Sequence, residues 1–131
     1  MPLPPRILIV DDNADHRRIL RRQLARLGSF ALHEAVDGQH ALAVLASVAP
    51  DLIFMNLGLP QLDGWEAICR IRALVAPLGQ VPIIAFTAYA GGREEQQARQ
   101  AGCDEYLVKP ILDQGVLQQT VTALLARGPR P

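Results

Sequence analysis

Hydrophobic residues along this chain form short continuous runs, and segments with helical periodicity separate those runs. The first run, Arg6–Val10, is rich in β-branched residues. A continuous apolar run of this length predicts a strand that is buried on both faces. The period then changes, because Leu20, Leu24 and Leu27 fall on one stripe of a helix that we expect over Asn13–Leu27. The start of the chain therefore predicts a strand followed by an amphipathic helix.

The same alternation repeats along the rest of the sequence. We expect strands at Arg6–Val10, Phe30–Val36, Asp51–Met55, Val81–Phe86 and Glu105–Val108. We expect helices at Asn13–Leu27, Gly38–Val48, Gly64–Leu74, Arg93–Ala101 and Asp113–Leu125. This alternation predicts an α/β fold, in which helices cover both faces of a parallel sheet. We expect one domain over residues 1–131, with its core at about 6–126 and frayed termini that include Arg127–Pro131.

Composition and charge narrow the class of protein. Half of the 131 residues are hydrophobic and 20% are charged, which argues against a disordered chain. Thirteen basic and thirteen acidic residues cancel, so no overall positive field would attract nucleic acid directly. The sequence has neither a signal-peptide pattern nor an apolar segment of membrane-spanning length, so we expect a cytoplasmic protein without membrane contact. Cys69 and Cys103 form no CxxC motif and are expected to be small hydrophobic residues in a reducing compartment.

Polar residues gather where the predicted strands end. Asp11 and Asp12 follow the first strand, Asn56 follows the third, Thr87 the fourth and Lys109 the fifth. Functional groups of parallel α/β sheets lie beyond the carboxyl ends of the strands, so we expect these side chains to form one polar site. Lys109 is also the single lysine of the chain. Two carboxylates, an amide, a hydroxyl and an ammonium at one edge of a sheet indicate a binding or reaction site.

Four motifs carry a resemblance to a known family. They are the Asp11-Asp12 pair, DLIFMNLGLPQLDG at residues 51–64, FTAYA at 86–90 and AGCDEYLVKP at 101–110. Each motif alone is weak, but together, in this order and spacing, residues 6–126 resemble the receiver domains of bacterial two-component response regulators. The resemblance implies a flavodoxin-like (βα)5 doubly wound sheet with strand order 2-1-3-4-5. It also implies a CheY-like signalling module rather than an enzyme.

In that family, an aspartate at the end of the third strand accepts a phosphoryl group from a phosphohistidine, with Mg²⁺ bound beside it. The metal ligands implied by the resemblance are Asp11, Asp12, the side chain of Asn56 and the backbone carbonyl of Gly58. Such hard oxygen ligands suit Mg²⁺. The phosphoryl-contacting and switch residues implied by the resemblance are Thr87, Lys109 and Tyr106.

The resemblance further implies a backbone feature and a set of partners. The Lys109–Pro110 peptide bond is expected to be cis, which orients the lysine into the site. A sensor histidine kinase or a histidine phosphotransfer protein is expected to bind at the first helix. An output partner is expected on the face formed by the fourth helix, the fifth strand and the fifth helix. The arginines of the first helix form either a solvated face or part of a partner surface; they are Arg17, Arg18, Arg21, Arg22 and Arg26.

One position departs from the family pattern. Asn56 stands where the family has its phosphoacceptor aspartate, and a neutral amide cannot act as the carboxylate nucleophile. We therefore expect that residue 56 is not phosphorylated and that Mg²⁺ binding is weakened. The asparagine is either an engineered replacement of aspartate or a feature of a natural receiver without an acceptor, and the sequence alone leaves both open.

Less specific interpretations compete with these assignments. Asp11 or Asp12 can instead cap the first helix, although a cap needs only one of them. His16, His33 and His40 lack the spacing of metal ligands and are expected to be structural. The alternative function is a small enzyme on the same fold, either a flavin redox carrier or a haloacid-dehalogenase-type phosphatase. The first needs a phosphate-cradling loop after the first strand, and the second needs two acids separated by one residue, whereas these two are adjacent.

Overall fold

A computed structural model describes residues 3–131, which form a five-stranded parallel sheet. The strands are β1 Arg6–Val10, β2 Ala31–Ala35, β3 Leu52–Met55, β4 Ile83–Thr87 and β5 Glu105–Val108. Their order is β2-β1-β3-β4-β5, which confirms the expected flavodoxin-like topology. The continuous apolar runs of β1 and β3 lie in the middle of the sheet and are buried on both faces, as their composition predicts.

Five α-helices connect the strands and cover both faces of the sheet. They are α1 Ala14–Ala25, α2 Gly38–Val48, α3 Gly64–Arg72, α4 Gly92–Ala101 and α5 Gln114–Arg127. One hydrophobic cluster includes Leu45 of α2 and Ile68 of α3. The other cluster includes Leu20 of α1 and Leu117 of α5. A short 3-10 helix, Leu78–Gln80, precedes β4 and was not expected from the sequence.

Polar side chains fix the start of four helices. Asn13, Asp37, Asp63 and Asp113 are the N-caps of α1, α2, α3 and α5, and each side chain accepts hydrogen bonds from backbone N–H groups of the first turn. Asn13 therefore precedes α1, which begins at Ala14, one residue later than the sequence predicts. Because Asn13 occupies the N-cap, the interpretation of the acidic pair as the cap of α1 is wrong.

The C-terminal segment, for which the sequence predicts fraying from Arg127 onward, makes contacts with the domain. Helix α5 continues to Arg127, and the guanidinium groups of Arg127 and Arg130 donate to the Asp104 carboxylate at 3.0 and 2.8 Å. Arg72 donates to the same carboxylate at 3.0 Å. Burial alone would raise the pKa of Asp104, but a backbone N–H and the arginines hold this pKa below its ordinary value. Met1 and Pro2, at the other predicted frayed end, lie outside the described residues.

The two cysteines differ in environment, and both are free. Cys103 is buried in the core, and this burial raises the pKa of its thiol to about 11. Cys69 is exposed on α3, so the expectation of a hydrophobic role is correct only for Cys103. Within residues 3–131, no helix combines the length and the apolar character that a membrane crossing requires.

Candidate polar site at the carboxyl ends of the strands

The sheet register brings the predicted site residues to one edge. Val10 pairs with Met55, so the residues that follow them, Asp11 and Asn56, lie side by side beyond β1 and β3. The Asn56 backbone N–H donates to the Val10 carbonyl at 3.0 Å, which fixes the start of the loop after β3. On the other side, the Lys109 backbone N–H donates to the carbonyl of the last residue of β4 at 2.7 Å. Four strand ends therefore meet in one site, as the sequence indicates.

Asp11 is the most enclosed charge of the site. It is 2% exposed, and its Oδ1 accepts the backbone N–H of Asn13 at 3.0 Å. The same oxygen lies 3.5 Å from the amide nitrogen of Asn56. The other carboxylate oxygen forms a short ion pair with the Lys109 ammonium. A buried carboxylate needs such a cation or a metal ion, so the arrangement balances the Asp11 charge through Lys109.

The remaining oxygens of the site lie at its open side. Asp12 and Gly58 are exposed, whereas Asn56 is 9% exposed. The side chains of Leu57, Leu59 and Leu62 are buried and anchor the loop that carries the Gly58 carbonyl.

Two carboxylates, an amide oxygen and a backbone carbonyl form a donor set that fits a hard divalent cation such as Mg²⁺. Between residues 3 and 131, no three His, Cys, Asp or Glu side chains form a metal-binding cluster. Any metal site at this edge therefore depends on amide and backbone oxygens beside the acidic pair.

Thr87 and the loop after it form the wall opposite the acidic pair. Thr87 is 1% exposed, and its hydroxyl oxygen accepts the backbone N–H of Tyr89 at 3.3 Å. This contact turns the loop back over the site. As a result the Tyr89 ring lies above Gly58, so close that a Cβ atom added to this glycine would be 3.1 Å from the tyrosine hydroxyl. The loop therefore covers part of the site entrance.

Three aromatic residues hold the loop after β4. The Tyr106 hydroxyl donates to the Tyr89 carbonyl at 2.5 Å. Partial burial and the nearby carboxylates of Glu94 and Glu95 raise the pKa of Tyr106. The Tyr89 ring stacks on Trp65 with a centroid distance of 5.7 Å. Trp65 is therefore a half-buried residue that packs against the hydrophobic core and stacks on Tyr89 at the rim of the site.

Lys109 has contacts that the sequence reasoning missed. The Lys109–Pro110 peptide bond is cis. The Lys109 ammonium lies 3.2 Å from Nδ1 of His16 and 5.1 Å from the centroid of the Phe86 ring. His16 Nδ1 is also 3.8 Å from Asp11. His16, which the sequence predicts to be structural, therefore lies at the site, and the signal that could have placed it there is its position in the first turn of α1, directly beyond β1.

His40 and most of the arginine face lie away from this site, although the Arg17 guanidinium donates to the Asp11 backbone carbonyl at 2.7 Å. His40 accepts the backbone N–H of Val36 at 3.1 Å through Nδ1, near the start of α2. On α1, Arg17 and Arg21 form ion pairs with Glu34 of β2 at 2.6 and 3.0 Å. Part of the arginine face is therefore paired within the domain.

The strand order and the converging strand ends define an open α/β fold with its polar groups beyond the carboxyl ends of the strands. Residues 7–122 match the family described as the response regulator receiver domain. The chain belongs to the response regulator receiver domain family. Members of this family are receiver modules of two-component signalling.

Similar proteins occur in both regulators and sensor kinases. The chain is 33% identical to the transcriptional regulatory protein PrrA of Mycobacterium leprae over 124 residues, which cover 95% of this chain and 52% of PrrA. It is 38% identical to the sensor histidine kinase RcsC of Salmonella typhimurium over 122 residues, covering 92% of this chain and 12% of RcsC. The receiver domain of a Syntrophus aciditrophicus histidine kinase superimposes with a TM-score of 0.83 at 26% identity, covering 94% of this chain and 91% of that domain. The chain thus spans about half of the length of PrrA and 12% of the length of RcsC.

Proposed function

We propose that this chain is a receiver module in which Asn56 occupies the phosphoacceptor position, so that residue 56 does not take up a phosphoryl group. The observation that carries the proposal is the placement of Asn56 beside Asp11 at the carboxyl ends of β3 and β1, with 3.5 Å between their side chains. Family membership associates phosphoryl signalling with this edge of the sheet. Its native cycle would belong to a two-component or phosphorelay pathway, and the module itself turns over no substrate.

The chemistry of residue 56 explains the interruption of that cycle. Phosphoryl transfer to a carboxylate requires an anionic oxygen that attacks phosphorus. The amide of Asn56 is neutral, and its nitrogen faces Asp11. A side chain of this shape therefore preserves the packing of the site without supplying a nucleophile.

A divalent cation fits the same site. Asp11, Asp12, the Asn56 side chain and the Gly58 carbonyl would hold Mg²⁺, which when bound would neutralise charge on a phosphoryl group. Lys109 is the present partner of Asp11, so a cation that binds Asp11 competes with this ion pair. Because Asn56 is neutral, the site has one negative ligand fewer than it would have with aspartate at position 56, and this weakens its attraction for Mg²⁺.

The remaining site residues have roles on the phosphoryl side. Thr87 and Lys109 would contact phosphoryl oxygens, since a hydroxyl and an ammonium donate hydrogen bonds to anions. Tyr106 would be the switch residue, and its hydrogen bond to the Tyr89 carbonyl supports this role because it ties β5 to the loop that follows Thr87.

Two surfaces are proposed for partners of the module. A sensor histidine kinase or a histidine phosphotransfer protein would bind at α1, near the entrance of the site. An output partner would bind at the face of α4, β5 and α5, where Val108, Leu112 and Val116 are 39%, 90% and 43% exposed. We place these interactions in the cytoplasm and without direct contacts to nucleic acid or membrane.

The test is to restore the carboxylate. We expect Asn56→Asp to gain one phosphoryl group from phosphoramidate or acetyl phosphate in Mg²⁺, because the rest of the site is present. Intact mass spectrometry measures the gain, and EDTA should prevent it. The parent protein should stay unlabelled under the same conditions.

Asn13→Asp is the matched control, since it makes the same substitution at an exposed N-cap. This variant should not become labelled. Adding Lys109→Ala to the Asn56→Asp protein should impair the conformational response that follows labelling. A folded Asn56→Asp protein that binds Mg²⁺ but is never labelled by a small donor would refute the proposal that Asn56 is the only missing part.

A further inference from the structure

The Lys109 ammonium has neighbours of three kinds. It pairs with the Asp11 carboxylate, lies 3.2 Å from Nδ1 of His16, and lies over the ring of Phe86. The Lys109 side chain is only 10% exposed, so water can replace little of what these contacts provide. An ammonium has only hydrogen-bond donors, so the contact with His16 requires that Nδ1 accepts.

Asp11 has two roles within the proposed function. It balances Lys109 in the structure, and it is also a proposed ligand of the divalent cation. A cation bound to Asp11 draws this carboxylate away from the ammonium. Lys109 then needs another acceptor, because an almost fully buried charge without a partner is costly.

The surroundings of Lys109 offer few alternatives to His16. A cavity of about 350 Å³ beside the ammonium has mainly apolar walls, which include Ile19 and Ile111. Gln23 also lines this cavity, but its amide nitrogen donates to the Ile111 carbonyl at 3.0 Å. The Phe86 ring attracts a cation but accepts no conventional hydrogen bond.

The backbone of His16 is also well fixed. The Asn13 side-chain oxygen accepts the N–H groups of Asp15 and His16 at 2.9 and 3.0 Å, which locks the first turn of α1. The His16 side chain is 46% exposed, so it is anchored at its base and accessible at its tip. A side chain on a fixed turn can hold a flexible lysine at a defined place.

We infer that His16 is a positioning residue that keeps the Lys109 ammonium in the site when a divalent cation takes up Asp11. The inference rests on the proposed function, because it assumes that Asp11 is a cation ligand. His16 acts here through Lys109 and contacts no phosphoryl group itself. In metal-free protein, Asp11 and His16 share the ammonium, whereas in the Mg²⁺ form His16 is the remaining acceptor.

The test measures how accessible the Lys109 amine is to acylation. Because the chain has one lysine, peptide mass mapping after treatment with N-hydroxysuccinimidyl acetate reports on Lys109 alone, apart from the N-terminal amine. The rate is measured at one fixed pH in EDTA and in millimolar Mg²⁺. His16→Phe removes the acceptor but keeps a ring, His16→Gln restores an acceptor, and His33→Phe on β2 is the matched control.

In EDTA, we expect similar slow acylation of all four proteins, since Asp11 holds the ammonium. In Mg²⁺, we expect His16→Phe to be acylated about fivefold faster than the parent, the factor that one lost hydrogen bond would give. His16→Gln and His33→Phe should behave as the parent does. If Mg²⁺ raises the acylation rates of His16→Phe and the parent by the same factor, the inference is overturned.

A metal-free comparison separates this inference from the proposed function. Asp11→Ala removes the carboxylate without any cation, so acylation of Asp11→Ala/His16→Phe should exceed that of Asp11→Ala by about fivefold. If this difference is present but Mg²⁺ changes none of the rates, the role of His16 is retained and the cation part of the proposed function is refuted. If the two Asp11→Ala proteins react equally, the role of His16 is refuted. Far-UV circular dichroism verifies that each variant is folded.

Discussion

Replacing Asn56 by aspartate should destabilise the metal-free domain. The substitution turns an amide that faces Asp11 across 3.5 Å into a second carboxylate, in a site where Lys109 is already paired with Asp11. Two unit charges about 4 Å apart repel by about 4 kcal/mol at an effective dielectric constant of about 20. Protonation of the new carboxyl sets a similar limit of about 4 kcal/mol at pH 7, because its ordinary pKa is about 3.9.

Lys109 and the open side of the site reduce this repulsion. We therefore expect the Asn56→Asp protein to lose about 2 kcal/mol of unfolding free energy in EDTA. For a domain of this size, such a loss lowers the melting temperature by about 8 °C. Millimolar Mg²⁺ should stabilise the variant more than the parent, since at a given concentration a ligand that binds the folded state more tightly stabilises it more.

The dependence on pH follows from the sign of the pKa change. Neighbouring carboxylates raise the folded-state pKa of the new carboxyl above its unfolded value near 3.9. The destabilisation is then present above the raised pKa and disappears as the pH falls toward about 4. Thermal melts of both proteins between about pH 4 and pH 7, in EDTA and in Mg²⁺, measure the effect.

Gln100→Glu is the control for the added charge, since it lies exposed on α4 and away from the site. Its melting temperature should change little. The reasoning fails if the Asn56→Asp protein melts at or above the temperature of the parent in EDTA.

Three further predictions concern contacts around the site and at the other end of the sheet. Asp104→Ala should lose about 3 kcal/mol of unfolding free energy in urea, because a buried carboxylate that pairs with several guanidinium groups is removed. Since the pKa of Asp104 is lowered in the folded state, the unfolding free energy of the parent should also decrease as the pH falls below about 4, and Asp104→Asn should reduce this dependence on pH. Gly64→Ala should cost about 2 kcal/mol because its Cβ would collide with the Asn56 carbonyl, whereas Gly92→Ala, with open space around it, should not destabilise the protein. Tyr106→Phe should change the fluorescence of the single tryptophan, since the lost hydroxyl holds the loop on which that ring is stacked.

The pattern of the sequence predicts the sheet well because central parallel strands are buried on both faces. The run at Arg6–Val10 coincides with the central strand β1, and the shorter run at Glu105–Val108 also coincides with the edge strand β5. The fourth strand begins at Ile83, two residues later than expected, because Pro82 has no N–H and Ile83 instead donates to the Asp104 carboxylate at 2.8 Å. Local composition thus indicates the strand, whereas a distant side chain determines where it starts.

Most of the candidate site could also be predicted, for a geometrical reason. Parallel strands end at the same edge of the sheet, so the residue after each strand is placed by the topology alone. The contact between Lys109 and His16 has a different origin, since 93 positions separate these residues and α1 must pack at a particular angle to bring them together.

A single carboxylate connects the elements of the site, and for this reason we expect residue 56 to affect both stability and chemistry. Asp11 accepts the Asn13 backbone N–H, lies beside the amide of Asn56 and pairs with Lys109, while its backbone carbonyl accepts the Arg17 guanidinium at 2.7 Å. These contacts join α1, β3 and β5 to the end of β1. An amide at position 56 leaves Asp11 and Lys109 as a balanced pair and so favours the metal-free form. A carboxylate at that position would add a charge that Lys109 balances only in part, so the substitution that we propose to restore a nucleophile would also make the stability of the fold respond to a divalent cation.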